Sequence, residues 1–367
     1  MSNKPKERLA VLQILLSITE TSGAYNQHCL AMPDKRDITI CTYFRPSMAV
    51  PKELTLLAGD NSLIGFLRTL KAALAEKKFD IIHAHSPHVG FLFVVFDLPR
   101  LRKFKRSTVY NVQNSYQNYK LRNKLLMIPV FAYFQRVVCC SQACLESFPR
   151  FYKWLAGDRL CVIPNGLDVD RVDRIMAYSP RLHQNGTFIV ASVGRLIEIK
   201  NPFAILSAFQ QSDDQLSRLM FIGEGHLRDS LATEIEARGL CERVELTGLI
   251  PRDKVFENLS KADVVVSASR GEGLPVAVIE AMACRCPVIL SDIEPHREIA
   301  AGADFIPLIH PDDVSGFARG IERFRQMSAS ERAEIGEKCR RLAEERYGLT
   351  AMHRGYQEVY TQVLGKH

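Results

Sequence analysis

The stretch Ser267-Ala-Ser-Arg-Gly-Glu-Gly-Leu-Pro-Val-Ala-Val-Ile-Glu280 decides the fold of this chain. It predicts a buried strand that ends at Ser267, then a glycine-rich turn, then a helix that begins at Pro275, a residue favoured in the first turn of helices. Gly271 and Gly273 would let a ligand approach the backbone closely. A strand, a tight turn and a helix in this order indicate a doubly wound α/β sheet.

Two carboxylates stand out in this stretch. Glu272 lies on the turn, and Glu280 lies in the otherwise apolar helix predicted over residues 276–283. A carboxylate can accept hydrogen bonds from two neighbouring hydroxyls, as a sugar ring offers. The simpler alternative makes Glu272 a turn residue and Glu280 part of a solvated helix face. That alternative leaves a charge in an apolar helix, where an unpaired carboxylate is costly.

A second motif, Val190-Ala-Ser-Val-Gly-Arg195, predicts a buried strand that stops at Gly194. Lys200 follows five residues after Arg195, and Pro202 opens a predicted helix. A strand end, a glycine turn and a helix start present free backbone N–H groups to an anion. Arg195 and Lys200 would add two cations there, which suits a diphosphate.

Short apolar runs alternate with amphipathic stretches along most of the chain, which predicts βα units on parallel sheets. We expect strands at residues 9–16, 37–43, 80–85, 107–112, 136–140 and 160–163, and then at 187–193, 219–222, 244–246, 264–267, 288–290 and 304–307. A polar stretch, 168–186, marks the seam. We therefore expect two Rossmann-like domains, 1–168 and 169–346, with a C-terminal crossover helix in 347–367 after a charged helix, 330–345. Ligands of such sheets bind beyond the carboxyl ends of the strands, here in a cleft between the domains.

The length of 367 residues, 47% of them hydrophobic, agrees with two globular domains. The ten cysteines lack zinc-site spacing, and most of them are interpreted as small buried residues in a reducing, cytoplasmic compartment. Residues 9–18 could pass for the apolar part of a signal peptide. No cleavage site clearly follows and the run is too short to span a bilayer, so we expect a first buried strand.

Positive charge is concentrated in the first half. Residues 1–168 carry 23 Lys/Arg and 12 Asp/Glu, net +11, whereas residues 169–367 carry 25 and 29, net −4. Residues 98–145 include nine basic residues and no acidic one. Such a face attracts phosphates of nucleic acid, an anionic membrane or a substrate, or simply keeps the protein in solution. No nucleic-acid recognition motif accompanies it, so nucleic acid is not expected. Residues 121–134 fit either a membrane-surface segment or a core helix.

Taken together, the motifs resemble those of the GT-B glycosyltransferases of family 4. Glu272, seven intervening residues and Glu280 resemble the Glu-x7-Glu signature of that family. The resemblance extends to Gly194-Arg195 with Lys200, to Phe221-Ile-Gly-Glu-Gly225 and to Pro164-Asn-Gly-Leu-Asp168. It covers nearly the whole chain and is strongest over residues 163–309. It implies the GT-B fold and a retaining, metal-independent transfer of a hexose-like sugar from a nucleoside diphosphate sugar to an acceptor hydroxyl.

The resemblance also implies roles for individual residues. Arg195 and Lys200 would hold the donor diphosphate, Glu280 the ribose hydroxyls, and Glu272 the donor sugar; we expect Arg195, Lys200 and Glu272 to be catalytic. The other donor-binding residues expected from it are Gly23, Gly194, Gly223, Gly225, Gly273 and Leu274. The base would lie near residues 223–225 and 244–251. No cofactor besides the donor and no metal is expected, and the mechanism implied is a front-face one through an oxocarbenium-like state.

The sequence departs from the family near its N-terminus and after the strand over 107–112. Thr21-Ser-Gly-Ala-Tyr25 keeps only Gly23 of the usual Gly-Gly-x-Glu loop, and Gln113 replaces the usual histidine. Gln113 can donate and accept hydrogen bonds but cannot titrate. The run His83-x-His85-x-x-His88 suggests a metal site, but no acidic ligand is nearby. The resemblance instead implies that His85, His88 and Gln113 face the acceptor.

Two further expectations concern an Asp-x-Asp motif and the acceptor. Asp168-Val-Asp170 resembles the metal-binding motif of a different fold, but its place after the Pro-Asn-Gly turn favours a capping or linker role. An acceptor that is lipid-linked or a growing glycan, in glycan, polysaccharide or glycolipid biosynthesis, would bring the protein to the inner face of the membrane. The alternatives are a nucleotide-sugar epimerase, a sugar-phosphate synthase, or a non-catalytic subunit that binds the donor, the last motivated by Gln113.

Overall fold

The structure is a computed structural model, which describes residues 9–19, 22–30, 36–100, 102–178, 186–212 and 215–365. The chain forms two compact units. Unit 1 comprises Met1–Gly166 and Leu349–His367, and unit 2 comprises Leu167–Gly348. Each unit is built on one parallel sheet with helices on it, which confirms the predicted pair of Rossmann-like sheets.

Unit 1 contains a seven-stranded sheet in the order β3-β2-β1-β4-β5-β6-β7, with every pair parallel. Its strands are β1 (Leu9–Leu15), β2 (Arg36–Thr42), β3 (Thr55–Ala58), β4 (Ile81–Ala84), β5 (Thr108–Val112), β6 (Arg136–Cys139) and β7 (Leu160–Val162). Its helices before residue 166 are α1 (Gly23–Tyr25), α2 (Leu63–Glu76), α3 (Pro87–Asp97), α4 (Leu121–Tyr133), α5 (Gln142–Ser147) and α6 (Arg150–Ala156).

Unit 2 contains a six-stranded parallel sheet in the order β10-β9-β8-β11-β12-β13. Its strands are β8 (Ile189–Val193), β9 (Arg218–Ile222), β10 (Val244–Gly248), β11 (Val264–Ser267), β12 (Val288–Ser291) and β13 (Leu308–Ile309). Its helices are α7 (Val169–Tyr178), α8 (Pro202–Gln211), α9 (Arg228–Ala237), α10 (Arg252–Lys261), α11 (Val276–Ala283), α12 (Glu294–Ala300), α13 (Val314–Gln326) and α14 (Ala329–Tyr347).

The last helix, α15 (Leu349–Leu364), belongs to unit 1, so the chain crosses back as predicted. One face of α15 buries five side chains, Met352, Tyr356, Val359, Tyr360 and Val363, against the strand residues Val11, Ile81, Val109 and Val138 and against Ile163, which follows β7. The five lie at positions i, i+4, i+7, i+8 and i+11, which is the pattern of one helix face. The helix thus supplies part of the unit 1 core.

Both sheets reverse their strand order beside the first strand of the unit. In unit 1, β1 lies between β2 and β4; in unit 2, β8 lies between β9 and β11. The helices that follow the two neighbours of such a strand leave the sheet on opposite faces, which opens a crevice at its carboxyl end. The end of β8 at Val193 therefore marks the expected ligand-binding edge of unit 2.

The sequence predicted two features of the strands incorrectly. The strand β3 was not expected; it lies at the edge of its sheet and is half exposed, so it lacks a long apolar run. The prediction of a strand at 304–307 is wrong, because that segment precedes the two-residue strand β13. The helix α11 also begins at Val276, one residue later than expected, with Pro275 as its N-cap.

The segment 121–134 combines the two alternatives weighed for it. The helix α4 buries Met127, Val130, Phe131 and Tyr133 in the core but leaves Leu121 and Leu125 exposed near its start. All ten cysteines are free, and eight of them are buried, as interpreted from the sequence. Among the described residues, the helices are too short or too polar to cross a membrane.

Candidate functional site

Two loops of unit 2 touch backbone to backbone at the carboxyl ends of β8 and β9. Gly194 N donates to Ile222 O at 3.0 Å, and Leu196 N donates to Glu224 O at 3.0 Å. A Cβ atom on Gly223 would overlap the carbonyl oxygen of Gly194, and Gly223 has a φ of 143°. Only glycine fits such a close approach without strain. The predicted residues Gly194, Gly223 and Gly225 therefore shape this edge of the sheet.

Lys200 extends from the single helical turn Glu198–Lys200 across the face of Gly194. Its Nζ atom forms an ion pair with Glu272 Oε1 at 2.5 Å, and both side chains are largely buried. The sequence predicted both residues as functional but not that they contact each other. The pair joins the β8 loop to the glycine-rich turn before α11.

Arg195 lies next to this pair but is exposed, and its guanidinium group has no hydrogen bond or ion pair with any other described residue. A small open pocket lies between Gly194, Arg195, Lys200, Ser267 and Ser269. Two cations thus line one cavity, and Arg195 is available to an incoming anion. An anionic group of several oxygens, such as a diphosphate, satisfies both.

Glu272 is held by more than Lys200. Ser269 Oγ donates to Glu272 Oε1 at 2.8 Å, and Ser291 Oγ donates to Ser269 O at 2.6 Å. His296 Nδ1 lies 2.9 Å from the carbonyl oxygen of Ser291. Burial lowers the pKa of His296 to about 4, although the negative charge of Glu272 has the opposite effect and raises this pKa. The carboxylate is therefore fixed in position by a neutral network that the sequence did not reveal.

Glu280 lies in α11 and is 7% exposed. Its Oε1 atom accepts a hydrogen bond from the Arg252 guanidinium of α10, and Oε2 has no partner among the described residues. Burial raises the pKa of the Glu280 carboxyl, against Arg252 and Arg171, which lower it. Glu280 was identified because a buried, unpaired charge is costly, and its ion pair with Arg252 offsets that cost. The free oxygen can still accept a hydroxyl hydrogen.

The turn between β11 and α11 presents backbone at the same edge of the sheet. Gly271, Glu272, Gly273, Leu274 and Pro275 are all buried, and Arg270 N donates to Ile199 O at 2.7 Å. This bond ties the turn to the segment that holds Lys200. The start of α11 is favourable for negative charge because of the helix dipole, although Val276 N and Val278 N already donate to Leu274 O and Pro275 O.

In unit 1, Gly23 starts the short helix α1 and is exposed; a Cβ atom there would meet no heavy atom within 4 Å. Thr21 of the same predicted loop lies outside the described residues. His88 and Gln113 are half buried, whereas His85 is buried. Gln113 follows the carboxyl end of β5, and its Oε1 accepts from Asn165 Nδ2 at 3.0 Å.

His85 belongs to a cluster with His28 and His83 rather than with His88. Ring nitrogens of the three lie within 4.8 Å of one another. His85 Nε2 donates to Gln13 Oε1 at 2.6 Å, Asn111 Nδ2 lies 3.0 Å from His28 Nε2, and Tyr360 OH lies 2.8 Å from His83 Nδ1. Burial lowers the pKa of His85 to about 3, so the ring is neutral.

Asp168 acts as a cap. Its Oδ1 atom accepts from Arg171 N at 2.9 Å, in the first turn of α7. A side-chain oxygen that binds a free N–H group of the first turn is the usual form of an N-terminal cap. This contact agrees with the capping role predicted for Asp168-Val-Asp170.

Comparison with known proteins identifies relatives of both units. Residues 179–344 match the family described as Glycosyl transferases group 1, and residues 46–171 match the family described as Glycosyltransferase Family 4. The chain is similar to the UDP-Gal:alpha-D-GlcNAc-diphosphoundecaprenol alpha-1,3-galactosyltransferase of Escherichia coli, with 24% identity over 315 residues, 80% of this chain and 76% of the relative.

A Campylobacter jejuni N-acetylgalactosamine-N,N'-diacetylbacillosaminyl-diphospho-undecaprenol 4-alpha-N-acetylgalactosaminyltransferase is 24% identical over 311 residues, 81% of each chain. Among solved structures, Anabaena Alr3699/HepE in complex with UDP and glucose matches with a TM-score of 0.77 at 17% identity, over 97% of this chain and 100% of that one. The structural match establishes a shared fold.

Proposed function

Because the chain belongs to the family 4 glycosyltransferases of the GT-B fold, we propose that it transfers a hexose-like sugar from a nucleoside diphosphate sugar to an acceptor hydroxyl, with retention at the anomeric carbon. The observation that carries this proposal is the Lys200–Glu272 pair beside the unpartnered Arg195, at the carboxyl end of β8. The three residues offer cations to a diphosphate and a carboxylate to the attached sugar.

In the proposed reaction, negative charge grows on the diphosphate as the bond to the sugar breaks. Arg195, Lys200 and the backbone N–H groups of Gly273 and Leu274 would stabilise that charge. Glu272 would accept hydrogen bonds from sugar hydroxyls. No protein nucleophile and no metal takes part in the front-face mechanism that we propose. The acceptor hydroxyl attacks the face that the leaving group departs from, and its proton passes to the departing diphosphate oxygen.

Glu280 would bind the ribose. Arg252 already occupies its Oε1, so Oε2 is the atom that we propose accepts from the ribose hydroxyls. The base would then lie near Gly223 and Gly225. A uridine nucleotide is the first to test, because the names of the Escherichia coli and Anabaena proteins include UDP-Gal and UDP.

We further propose that Gly23 contacts the donor phosphate and that His85, His88 and Gln113 of unit 1 contact the acceptor. The acceptor would be lipid-linked or a growing glycan, in polysaccharide or glycolipid biosynthesis at the inner face of the membrane. The support is that the Escherichia coli and Campylobacter jejuni relatives are named for diphosphoundecaprenol acceptors. Gln113 would bind a sugar hydroxyl rather than carry charge.

Donor binding is tested with the variants Lys200→Ala and Glu280→Ala. Each removes a charged hydrogen-bond partner, worth roughly 1.5–3 kcal/mol, so we expect the affinity for a nucleotide sugar to fall about 10- to 100-fold. A panel of nucleotide sugars in a thermal-shift assay selects the donor, since a ligand raises apparent stability. Titration calorimetry then measures the dissociation constants.

Lys261→Ala and Glu236→Ala are matched controls, because both residues are exposed in unit 2 outside the proposed site. Unchanged isotherms in both site variants would overturn the site assignment. Donor turnover without an added acceptor would favour the epimerase, and transfer to a sugar phosphate the synthase. Donor binding without transfer to any acceptor in a cell extract would identify a non-catalytic subunit.

A further inference from the structure

Two neighbouring helices of unit 1 expose large apolar side chains. Leu121 and Leu125 on α4 are 72% and 57% exposed, and Phe151 and Trp154 on α6 are 49% and 75% exposed. Single exposed apolar residues are common on protein surfaces, but four on two contacting helices are not scattered singly. We call these four residues, together with Lys120, Arg122 and Arg150, the α4–α6 surface.

A buried contact holds the two helices together. Tyr152 is buried, and its hydroxyl donates to Lys124 O at 2.6 Å. Phe151 and Leu125 each adjoin one of the two residues that this bond joins. The rings of Phe151 and Trp154 stack at 6.2 Å between centroids. The apolar side chains are thus presented by a rigid pair of helices.

Basic side chains flank these apolar ones. Lys120, Arg122 and Arg150 are exposed. Residues 120–154 contain six basic side chains and one acidic one, Glu146. Aromatic and aliphatic side chains bordered by Lys and Arg suit the boundary between lipid headgroups and acyl chains. The cations match the charge of an anionic leaflet.

We propose that the α4–α6 surface binds an anionic lipid bilayer, with Trp154 and Leu121 entering the interface and the cations contacting headgroup phosphates. The charge argues against a second copy of the chain as the occupant, because a two-fold contact would bring identical basic surfaces together. The inference rests on the proposed function for its lipid-linked acceptor and extends it, since unit 2 contributes none of these residues.

The α4–α6 surface lies close to the acceptor-side residues of unit 1. The start of α4 follows β5, so the surface lies near the carboxyl edge of the unit 1 sheet, where Gln113 also lies. Arg122 is close enough to His88 to help burial lower the pKa of that histidine. A lipid-linked acceptor in the bilayer would therefore be presented at the edge that carries the acceptor-side residues.

Trp154 is the only tryptophan of the chain, so tryptophan emission reports this surface alone. We expect the emission maximum of the full chain to shift to shorter wavelength with phosphatidylglycerol-containing vesicles at low salt, and not with phosphatidylcholine vesicles. The double variant Lys120→Glu/Arg150→Glu should bind the anionic vesicles at least about tenfold more weakly in sedimentation. Both changes place an acid at a helix start, so folding should be retained.

Lys71→Glu/Lys78→Glu is the charge-matched control. Leu121→Gln should also bind the anionic vesicles more weakly, and Ile64→Gln, at another exposed apolar site of unit 1, is its control. The proposal is overturned if anionic vesicles leave the emission unchanged, or if the controls weaken binding as much as the surface variants. Short-wavelength emission of a dimer without lipid, or a shift with single-stranded RNA alone, would also overturn it. Donor affinity measured on the same variants separates this outcome from failure of the proposed transfer.

Discussion

At the scale of single residues, Gly223 sets how closely the β8 and β9 loops can approach. Its φ of 143° and the carbonyl oxygen of Gly194 leave no room for a side chain. The side chain of Lys200 packs beside Gly194, so a displaced carbonyl would also displace the cation. The donor site that we propose would therefore depend on a backbone contact as much as on charged side chains.

We expect Gly223→Ala to lower the free energy of unfolding of unit 2 by about 1–3 kcal/mol, because the added methyl group forces the two loops apart. Donor binding should be lost in the same variant. Urea unfolding and calorimetry measure the two effects. Stability and affinity both equal to those of the unchanged chain would contradict this prediction.

Gly23→Ala should leave stability within about 0.5 kcal/mol of the unchanged chain, because open space surrounds this glycine. If Gly23 contacts the donor phosphate, the methyl group should still weaken donor binding. Titration calorimetry measures the donor affinity of this variant. Full affinity in a stable Gly23→Ala variant would contradict a contact between Gly23 and the donor phosphate.

The buried carboxylates show what sequence could predict at this scale. Glu280 was identified because a charge in an apolar helix needs a partner. The partner, Arg252, lies 28 residues away on another helix, so only the tertiary fold distinguishes it from the other basic residues. Glu272 contacts Ser269, which contacts Ser291, which in turn contacts His296. The sequence missed these contacts for the same reason.

At the scale of secondary structure, buried central strands were predictable because they are continuous apolar runs between turn residues. The edge strands β3 and β13 were not, since β3 is half exposed and β13 has two residues. The helix α14 was predictable from its start. Ser328 accepts from Glu331 N, and the Glu331 side chain accepts from Ser328 N, which is a capping box.

This cap gives a test confined to one element. Ser328→Ala should lower the free energy of unfolding by about 1 kcal/mol, because one N–H group of the first turn loses its acceptor. Donor affinity should not change. Ser330→Ala in the same turn is the matched control, and an equal loss of stability in both variants would contradict a capping role.

At the scale of the whole molecule, each unit encloses a neutral histidine. Burial lowers the pKa of His85 in unit 1 to about 3 and that of His296 in unit 2 to about 4. As the pH falls below 6.5, His85 and His296 bind protons in the unfolded chain but stay neutral in the folded chain until the pH reaches about 3 and about 4. Unfolding is therefore coupled to proton uptake throughout this range.

Both units should lose stability as the pH falls from 6.5 to 4, by up to about 1.4 kcal/mol per pH unit for each histidine. Urea midpoints measured across this range test the sign and the slope. His296→Asn should flatten the dependence for unit 2, whereas His226→Asn, at an exposed histidine, should not. A midpoint that rises with acid would refute the coupling.

The helix α15 also fixes the order in which the molecule can be assembled during translation. Its side chains fill the core of unit 1, yet the 182 residues of Leu167–Gly348 leave the ribosome before it. At typical elongation rates this interval lasts roughly 10 to 40 s. The residues of unit 1 that are made first must wait with an open apolar sheet, so the unit that begins the chain is the last to be completed.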